Sequence, residues 1–326
     1  MQAVVITEFG GPEVLKYQTV PDPAPQEGQV LIDVKARGLN RAETYFRKGA
    51  WGQDVARISG IECVGIVRSD PAGRFAPGTK VIALMGGMGR DINGSYGEMV
   101  SVPAESVVAV QSELSWEDLA AIPESYATAW ACLNRNLDVQ AGQTLLIRGA
   151  TSALGRAAMN LAVDMGAKVI GTTRNPEKFG TIAEHGAIPV QDAPDLSERI
   201  RADNGPIDAV LEIVGNSTLI DSLAMLRHDG RLCLAGFLGG PEPVEGFDPL
   251  IHMPSGVQFS FFGSAFVFAT PAFPLDQIPF QSIIQAIEQG RYNARPSRVF
   301  TLKEMARAHE LMEADGADGK LVATTS

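Results

Sequence analysis

The residues whose types and spacing could do chemistry begin with RGATSALG at positions 148–155, between an apolar run and a helix-like stretch. A strand, a loop of small residues and a helix, in this order, are typical of folds that bind a dinucleotide pyrophosphate. The fingerprint G-x-G-x-x-G would fall on Ala150, Ser152 and Gly155. Only the last of these is glycine, and we expect it where close helix–strand packing excludes a side chain.

The start of the predicted helix is the candidate phosphate site. Its N-terminus would offer free N–H groups and the positive end of the helix dipole. We expect Ser152, Ala153 and Leu154 to contribute there, and the Ser152 hydroxyl to donate a hydrogen bond. The alternative is an ordinary tight turn in which small residues serve packing only.

The end of the next predicted strand bears on the choice of cofactor. An NAD site usually has Asp or Glu there, about 20 residues on, to bind the ribose 2′-hydroxyl. This chain has Thr172, Thr173 and Arg174, with Lys178 one turn later and no acid. Hydroxyls and two cations suit a 2′-phosphate and therefore predict NADPH. The alternative is a solvated helix start, although cations are disfavoured at that end of a helix.

The elements that must position these residues follow from periodicity. Residues 29–36 alternate as a half-buried strand does, whereas after Ser115, which begins a capped helix, strands and helices alternate. These later strands are predicted at 144–147, 168–172, 209–214 and 231–235. The pattern predicts an α/β protein with a parallel sheet after a mostly β half. We expect a final helix at 302–312, a final strand at 320–324, and a mobile surface loop at 86–97.

Composition excludes several classes of protein. The chain has 326 residues, 45% hydrophobic and 20% charged, which predicts about two globular domains. A net charge of −11 argues against a nucleic-acid binder. Three scattered cysteines indicate a reducing compartment. No basic and apolar leader and no run of about 18 apolar residues is found, so we expect a cytoplasmic protein without a membrane span.

Eight segments resemble the zinc-independent quinone oxidoreductase branch of the medium-chain dehydrogenase/reductases, and they extend over nearly the whole chain. They are FGGPEVL (9–15), GLNRAETYFRKGAW (38–51), SGIECVGIV (59–67), SYGEMVSVP (95–103), IPESYATAWACL (122–133), GATSALG (149–155), HDGRLCLAGFLGG (228–240) and AHELMEADGADGKLV (308–322). The resemblance implies a GroES-like β-barrel domain (1–121 and 267–326) and a Rossmann doubly wound parallel-sheet domain (122–266), with the cofactor in the cleft between them.

The resemblance also implies site residues. Asn40 and Tyr45 should lie near the nicotinamide, where Tyr45 would steady an oxyanion or deliver a proton, and Thr128 near its ring or ribose. Trp51 replaces a tyrosine of many relatives and would stack on a flat substrate. Ala193 replaces a tyrosine that some relatives place against the adenine. The remaining implied cofactor contacts are Gly236, Phe237, Leu238 and Lys320.

Zinc-dependent members of the superfamily have a Cys, a His and a Cys or acid around the catalytic metal. The matching positions here are Asn40, Ile61 and Glu124, which lack the thiolates and imidazoles that tetrahedral zinc prefers. A structural zinc lobe would need four closely spaced cysteines. We therefore expect no zinc, and we expect the four histidines, which lie outside these positions, at the surface.

The sequence thus predicts an NADPH-dependent, zinc-free reductase of quinones or other α,β-unsaturated carbonyls, since such acceptors need little beyond orientation and hydrogen bonds. One alternative is an enoyl-thioester or prostaglandin-type double-bond reductase, for which Arg41, Arg47 and Lys48 would be basic residues at the cleft mouth. Another is an NADPH-binding sensor or structural protein with little turnover. The apolar stretch 257–268 predicts a homodimer through the edge of the parallel sheet.

Overall fold

A computed structural model describes residues 1–50, 52 and 55–325. Trp51, one of the predicted site residues, lies outside the described residues. In chain order the strands are β1 (Gln2–Ile6), β2 (Leu15–Thr19), β3 (Gln29–Leu39), β4 (Glu62–Ser69), β5 (Lys80–Leu84), β6 (Met99–Pro103), β7 (Val107–Ala109), β8 (Thr144–Arg148), β9 (Lys168–Thr173), β10 (Ile188–Gln191), β11 (Ile207–Glu212), β12 (Leu226–Leu234), β13 (Gln258–Phe261), β14 (Arg298–Thr301) and β15 (Leu321–Thr324).

The helices lie mainly between the strands of the second half of the chain. In chain order they are α1 (Arg41–Arg47), α2 (Trp116–Ala120), α3 (Pro123–Ala131), α4 (Ala153–Asp164), α5 (Phe179–Glu184), α6 (Leu196–Asn204), α7 (Leu219–Ala224), α8 (Pro249–His252), α9 (Ser264–Val267), α10 (Phe280–Glu288) and α11 (Met305–Glu313). None of the helices in the described ranges combines the length and hydropathy needed to cross a bilayer.

A six-stranded parallel sheet has the order β10-β9-β8-β11-β12-β13. Its central strands are nearly continuous runs of buried aliphatic residues, as expected for strands covered on both faces. Val210 in β11 pairs with Leu146 on one side and with Leu232 on the other. This strand order is that of the dinucleotide-binding doubly wound fold, so the predicted Rossmann architecture is confirmed.

The other sheet is built around the long strand β3. Its order is β14-β15-β3-β4-β5-β7, with β6 also paired to β3. Every pair in it is antiparallel except β14–β15. The C-terminal strand β15 lies antiparallel to β3, with Leu321 opposite Leu39. The C-terminal tail thus completes the β domain at the N-terminus of the chain, as the predicted GroES-like fold requires.

The chain divides into two compact units. One contains residues 1–124 and the segment from 264 to the C-terminus, and the other contains 125–263. The predicted domain boundaries were 121 and 267. The first unit has its main apolar clusters around β1, β15 and α11 and between β3 and its neighbours. The second unit has an apolar cluster between the parallel sheet and the helices α6 and α7.

Local signals predicted the cap of α2 correctly and the loop at 86–97 incorrectly. The Ser115 Oγ accepts a hydrogen bond from the Asp118 N–H (3.1 Å) and caps α2, as predicted. The expectation of a surface loop at 86–97 was wrong, because Met88 and Tyr96 are buried. Glycine permits this close packing: a Cβ on Gly89, at φ +72°, would lie 2.8 Å from the backbone of Gly60.

Candidate functional site

The loop between β8 and α4 has the geometry of a phosphate-binding turn. Ser152 caps α4: its Oγ accepts from the Gly155 N–H (3.0 Å) and donates to the Gly149 carbonyl (2.8 Å). Without a ligand, the Ser152 hydroxyl donates within the turn, and its predicted hydrogen bond to a cofactor stays a prediction. The first-turn N–H groups of Ala153 and Leu154 have no carbonyl partner within the helix, and these are the groups that a pyrophosphate would use.

Gly155 allows the helix to approach the strand. A Cβ there would lie 2.5 Å from the carbonyl oxygen of Gly149 and 2.6 Å from that of Ala150, which real Cβ atoms do not tolerate. The third position of the fingerprint thus needs glycine, whereas Ala150 is accommodated within the core. The loop is a cradle that fits a dinucleotide.

The end of β9 presents the residues expected to choose the cofactor. Thr172 and Thr173 are buried, Arg174 is exposed and Lys178 is half-buried at the end of a short helical turn before α5. The Thr172 Oγ1 accepts from the Gly149 N–H (3.3 Å), which ties this strand end to the phosphate loop.

No acid lies on the end of β9 itself, as predicted, but an acid from the neighbouring strand lies beside it. Asp192, which directly follows β10, places its Oδ2 3.2 Å from the Thr172 Oγ1. The Arg148 guanidinium binds this carboxylate with two hydrogen bonds, Nη2 to Oδ1 (2.7 Å) and Nε to Oδ2 (3.0 Å). The sequence did not indicate this pair, because Arg148 and Asp192 are 44 residues apart and only the strand order brings them together.

The residues after β12 lie at the same carboxyl-terminal edge of the sheet. Gly236 packs closely against Ile213, the residue after β11, because a Cβ on Gly236 would lie 2.7 Å from the Ile213 carbonyl oxygen. The Leu238 N–H donates to that carbonyl (3.1 Å). Phe237 packs against Phe261 with ring centroids 6.0 Å apart. Ligands of open α/β sheets bind outside the carboxyl ends of the strands, and the structure brings the predicted loop, β9-end and 236–238 residues to this edge.

Thr128 lies on α3 and is buried. Two residues earlier, the Tyr126 Oη accepts a hydrogen bond from the Asn160 Nδ2 (2.7 Å), which joins α3 to α4. The helix that carries Thr128 is therefore fixed to the helix that begins at the phosphate loop.

In the other unit, Asn40 caps α1 and is held by two charged groups. Its Nδ2 donates to the Glu62 Oε1 (2.7 Å) and its Oδ1 accepts from the Lys320 Nζ (2.8 Å). Lys320 and Glu62 form a buried ion pair at 2.6 Å. The Glu62 Oε2 accepts from the Glu124 N–H (2.7 Å). The amide of Asn40 thus has one defined orientation, set by residues on β4 and just before β15.

Tyr45 follows on α1 and is half-buried. A phenol half exposed on a helix is available as a hydrogen-bond donor to a ligand.

A second buried network begins at Glu43, three residues after Asn40. Its Oε2 accepts from the Asn40 N–H and from the Tyr96 Oη, both at 2.7 Å, and its Oε1 accepts from the Ile61 N–H (3.1 Å). Burial raises the pKa of Glu43 to about 7, against these hydrogen bonds, which lower it. The capping-box spacing between Asn40 and Glu43 was a signal in the sequence that could have identified it.

His309 extends this network. Its Nε2 lies 3.0 Å from the Tyr96 Oη and its Nδ1 lies 3.1 Å from the Arg47 Nη1. Because arginine only donates, Nδ1 accepts and the proton is on Nε2. Burial, and then the charge of Arg47, lower the pKa of His309 to about 3. The expectation of surface histidines was wrong for His309 and for His185, both buried.

The three positions that hold zinc in metal-dependent relatives have other roles here. Asn40 bonds Glu62 and Lys320, the Ile61 side chain is buried, and the Glu124 Oε1 accepts from the Ser264 Oγ (3.1 Å). Among the described residues, no three His, Cys, Asp or Glu side chains form a group that could hold a metal ion. An amide, an aliphatic chain and one carboxylate do not fit tetrahedral zinc.

Comparisons with known proteins found two family models that match different parts of the chain. The Alcohol dehydrogenase GroES-like domain family matches residues 26–112, and the Zinc-binding dehydrogenase family matches residues 153–274. Human quinone oxidoreductase is 30% identical over 342 residues, covering 99% of this chain and 97% of the human protein. A 2-haloacrylate reductase of a Burkholderia species is 26% identical, covering 99% of this chain and 98% of that protein. The solved structure of a mycobacterial protein complexed with NADPH is 27% identical, with a TM-score of 0.87, covering 99% of this chain and 100% of that one.

Proposed function

Because this chain belongs to the quinone oxidoreductase branch of the medium-chain dehydrogenase/reductase superfamily, we propose that it is an NADPH-dependent, zinc-free reductase of quinones or other α,β-unsaturated carbonyls. The proposal that NADPH is the cofactor is supported by the cradle at Gly149–Gly155, together with the cations Arg174 and Lys178 after the neighbouring strand. The human relative is a quinone oxidoreductase and the Burkholderia relative a haloacrylate reductase. Quinones and acrylates share a double bond conjugated to a carbonyl, and this shared chemistry defines the proposed acceptor.

NADPH, when bound, supplies the hydride. Hydride addition leaves negative charge on the acceptor oxygen, and the protein's task is to bind that oxygen and provide a proton. Asn40 suits the first role: one of its amide hydrogens is engaged by Glu62, and the second remains for a substrate oxygen. Tyr45 is proposed to donate the proton or a hydrogen bond, and Trp51 to stack on the acceptor ring.

The proposed cofactor contacts are those of the carboxyl-terminal sheet edge. The N–H groups of Ala153 and Leu154 would bind the pyrophosphate. Thr128 and the segment 236–238 are proposed to hold the nicotinamide half. Lys320 is proposed as a further cofactor contact, beside Asn40, whose amide oxygen accepts a hydrogen bond from its ammonium.

The proposal of a zinc-free enzyme rests on Asn40, Ile61 and Glu124, whose side chains do not form a zinc donor set. We expect elemental analysis of the purified protein to give far less than one zinc per chain and EDTA to leave activity unchanged. One zinc per chain with loss of activity in EDTA would contradict this part of the proposal.

The thioester alternative loses the support it had from sequence. Arg47 is fully buried and binds Glu313 (2.6 Å). Arg41 binds Asp315 (2.5 Å), and Lys48 binds Glu313 (2.6 Å). All three cations are paired with acids at the end of α11, which weakens the case for a phosphate-bearing thioester arm. Small quinones and enones therefore remain the preferred acceptors.

Stopped-flow oxidation of NADPH tests the reaction directly. The panel contains a benzoquinone, an enone, an acrylate and a crotonyl thioester, each mixed with the protein saturated with NADPH. We expect rapid oxidation with the quinone or the enone and slower oxidation with the thioester. Turnover of the thioester alone would establish the alternative, and no oxidation by any acceptor would favour a sensor or structural protein.

Arg174→Ala tests the cofactor assignment. A 2′-phosphate would gain charge-assisted hydrogen bonds from Arg174, each worth about 1.5–3 kcal/mol before solvent exposure reduces it. We expect the variant to lower NADPH affinity about tenfold or more, since about 1.4 kcal/mol is tenfold, and to leave NADH nearly unchanged. Lys168→Ala, at the opposite end of β9, is the matched control. Equal effects on both cofactors would assign Arg174 to the solvated surface.

Two proposals concern the setting of the protein. A homodimer through β13 is proposed because β13 is the edge strand of its sheet and exposes Phe259 and Phe261. A reducing compartment, the cytoplasm, is proposed because in the described part of the chain Cys63, Cys132 and Cys233 form no disulfide.

A further inference from the structure

We infer that Arg148 determines the preference for NADPH, by binding the carboxylate of Asp192 that would otherwise repel the 2′-phosphate at the end of β9. This inference rests on the proposed NADPH-dependent function and identifies a residue that sets its cofactor choice. Arg148 is the last residue of β8 and directly precedes Gly149, whose N–H donates to the Thr172 Oγ1 (3.3 Å).

Asp192 follows β10 and lies beside the end of β9, the strand end that carries the acid of an NAD site. β10 lies parallel to β9 with Gln191 opposite Thr173. The next residue, Asp192, donates its N–H to the Thr173 carbonyl (2.9 Å) and accepts from the Thr172 Oγ1. A carboxylate at the end of the second strand accepts hydrogen bonds from the ribose 2′-hydroxyl and disfavours a phosphate there.

Arg148 prevents both effects. Its two hydrogen bonds engage both oxygens of Asp192 in a bidentate pair, a strong and geometrically specific interaction. The side chains of Arg148 and Asp192 are only 3% and 11% exposed, so solvent screens this pair weakly. Asp192 thus accepts three hydrogen bonds, two from Arg148 and one from Thr172, and the guanidinium, which also pairs with Asp221, offsets its charge.

The remaining contacts of Arg148 fix the guanidinium in place. Its Nη1 donates to the Asp221 Oδ2 (2.7 Å), the Ser222 Oγ (3.0 Å) and the Thr218 carbonyl (3.2 Å). Glu212 lies on the same side and accepts from Ser222. Asp221 and Ser222 lie on α7 and Thr218 directly precedes it, so these contacts anchor Arg148 to an element other than the one that carries Asp192. Asp221 thus offers a control that touches the same guanidinium without touching Thr172.

The test is the ratio of NADPH to NADH affinity, measured by titration calorimetry and repeated with 2′,5′-ADP and 5′-AMP as the adenosine halves. Arg148→Met keeps an unbranched side chain but removes the guanidinium, which frees the Asp192 carboxylate. We expect the ratio to fall at least tenfold, mainly through weaker NADPH binding. Adding Asp192→Asn to Arg148→Met should return the ratio to within about threefold of wild type, and Asp221→Asn alone should leave it unchanged.

A second variant covers the case in which Arg148→Met does not fold, as judged by circular dichroism. Arg148→Lys keeps the charge but cannot bind both carboxylate oxygens, and we expect the ratio to fall at least threefold. An equal loss of both cofactors, or a ratio that Asp192→Asn does not restore, would overturn the inference and leave Arg148 a purely structural residue. A wild type that binds NADH as well as NADPH would contradict the proposed cofactor. Even then, a shift towards NADH in Arg148→Met would still support the role of Arg148.

Discussion

At the residue scale, two buried carboxylates beside Asn40 differ in how their charge is balanced. Glu62 forms an ion pair with Lys320 and accepts from the side chain of Asn40. Glu43 receives hydrogen bonds from Tyr96 and from two backbone N–H groups, and no cation among the described residues forms an ion pair with it. Removing the charge of Glu62 should therefore destabilise the fold, whereas removing the charge of Glu43 should stabilise it at a pH above about 7.

Glu62→Gln should destabilise the fold, because it leaves the Lys320 ammonium buried without a counterion. Breaking a buried pair by removing one partner costs about 3–5 kcal/mol. We expect a loss of this order in the free energy of unfolding measured with urea. Lys320→Met added to Glu62→Gln should recover a large part of it, and Asp33→Asn, which breaks the exposed Arg68 pair, should cost no more than about 1 kcal/mol. Equal losses in the single and double variants would contradict an uncompensated charge.

Glu43→Gln should change the pH dependence of stability. Burial raises the pKa of Glu43 to about 7, above the unfolded value of about 4.3. The folded state therefore binds the proton more tightly, and this stability is present below about pH 4 and lost as the pH rises through 7. From pH 4 to pH 8 the wild type should lose roughly 3 kcal/mol relative to Glu43→Gln.

The measurement is urea unfolding of both proteins at several pH values. Tyr96→Phe provides a second readout, because the hydrogen bond from Tyr96 lowers the pKa of Glu43. Its removal should move the midpoint of the stability loss to higher pH. A difference between wild type and Glu43→Gln that stays constant with pH would show that Glu43 does not titrate in this range.

At the scale of elements, the approach of α4 to β8 makes the phosphate cradle. The helix starts at a side-chain cap and lies against the loop where a Cβ on Gly155 would overlap two carbonyl oxygens. Another helical glycine, Gly180 in α5, has no atom within 4 Å of its would-be Cβ. Comparing alanine substitutions at the two glycines therefore distinguishes a steric requirement for glycine from the effect of helix propensity.

Gly155→Ala should destabilise the protein by about 1–3 kcal/mol, the range for overpacking, and weaken NADPH binding because α4 must move from the loop. Gly180→Ala should stabilise by up to about 1 kcal/mol, since alanine favours helices over glycine. Thermal unfolding and cofactor titration of both variants provide the comparison. Gly155→Ala with unchanged stability and affinity would mean that the close approach is dispensable.

At the scale of the whole molecule, the open edge of the parallel sheet determines how copies could associate. β13 pairs only with β12 among the described residues, and its Phe261 is 52% exposed. An exposed apolar edge is a template for pairing with another chain, and a closed dimer satisfies both edges at once.

Light scattering at micromolar concentration should give the mass of two chains for the wild type. Phe261→Lys places a charge on the edge strand and should shift the mass towards one chain. Leu250→Lys, at an exposed position of α8 and not on β13, should leave the dimer intact. A wild-type mass of one chain would contradict the proposed dimer, and dissociation by Leu250→Lys alone would move the interface to α8.

The sequence by itself determined what depends on neighbours within a few residues. Apolar runs and periodicity predicted β8, β9, β11 and part of β12, and the spacing of Ser115 and Asp118 predicted the cap of α2. Gly155 could be assigned its packing role because strand, loop and helix are contiguous. Resemblance over the whole chain supplied both domain architectures, which the strand orders then confirmed.

Only the tertiary structure decided which distant polar groups meet. Lys320 reaches Glu62 and Asn40 because β15 pairs with β3, His309 is buried because α11 covers Tyr96 and Arg47, and Asp192 reaches Thr172 because β10 is the neighbour of β9. No local pattern encodes these partnerships, since each depends on strand order and on burial across many residues. Burial then sets the electrostatics, by raising the pKa of Glu43 and lowering that of His309, because a charge out of water must find its stabilisation in whatever the fold places beside it.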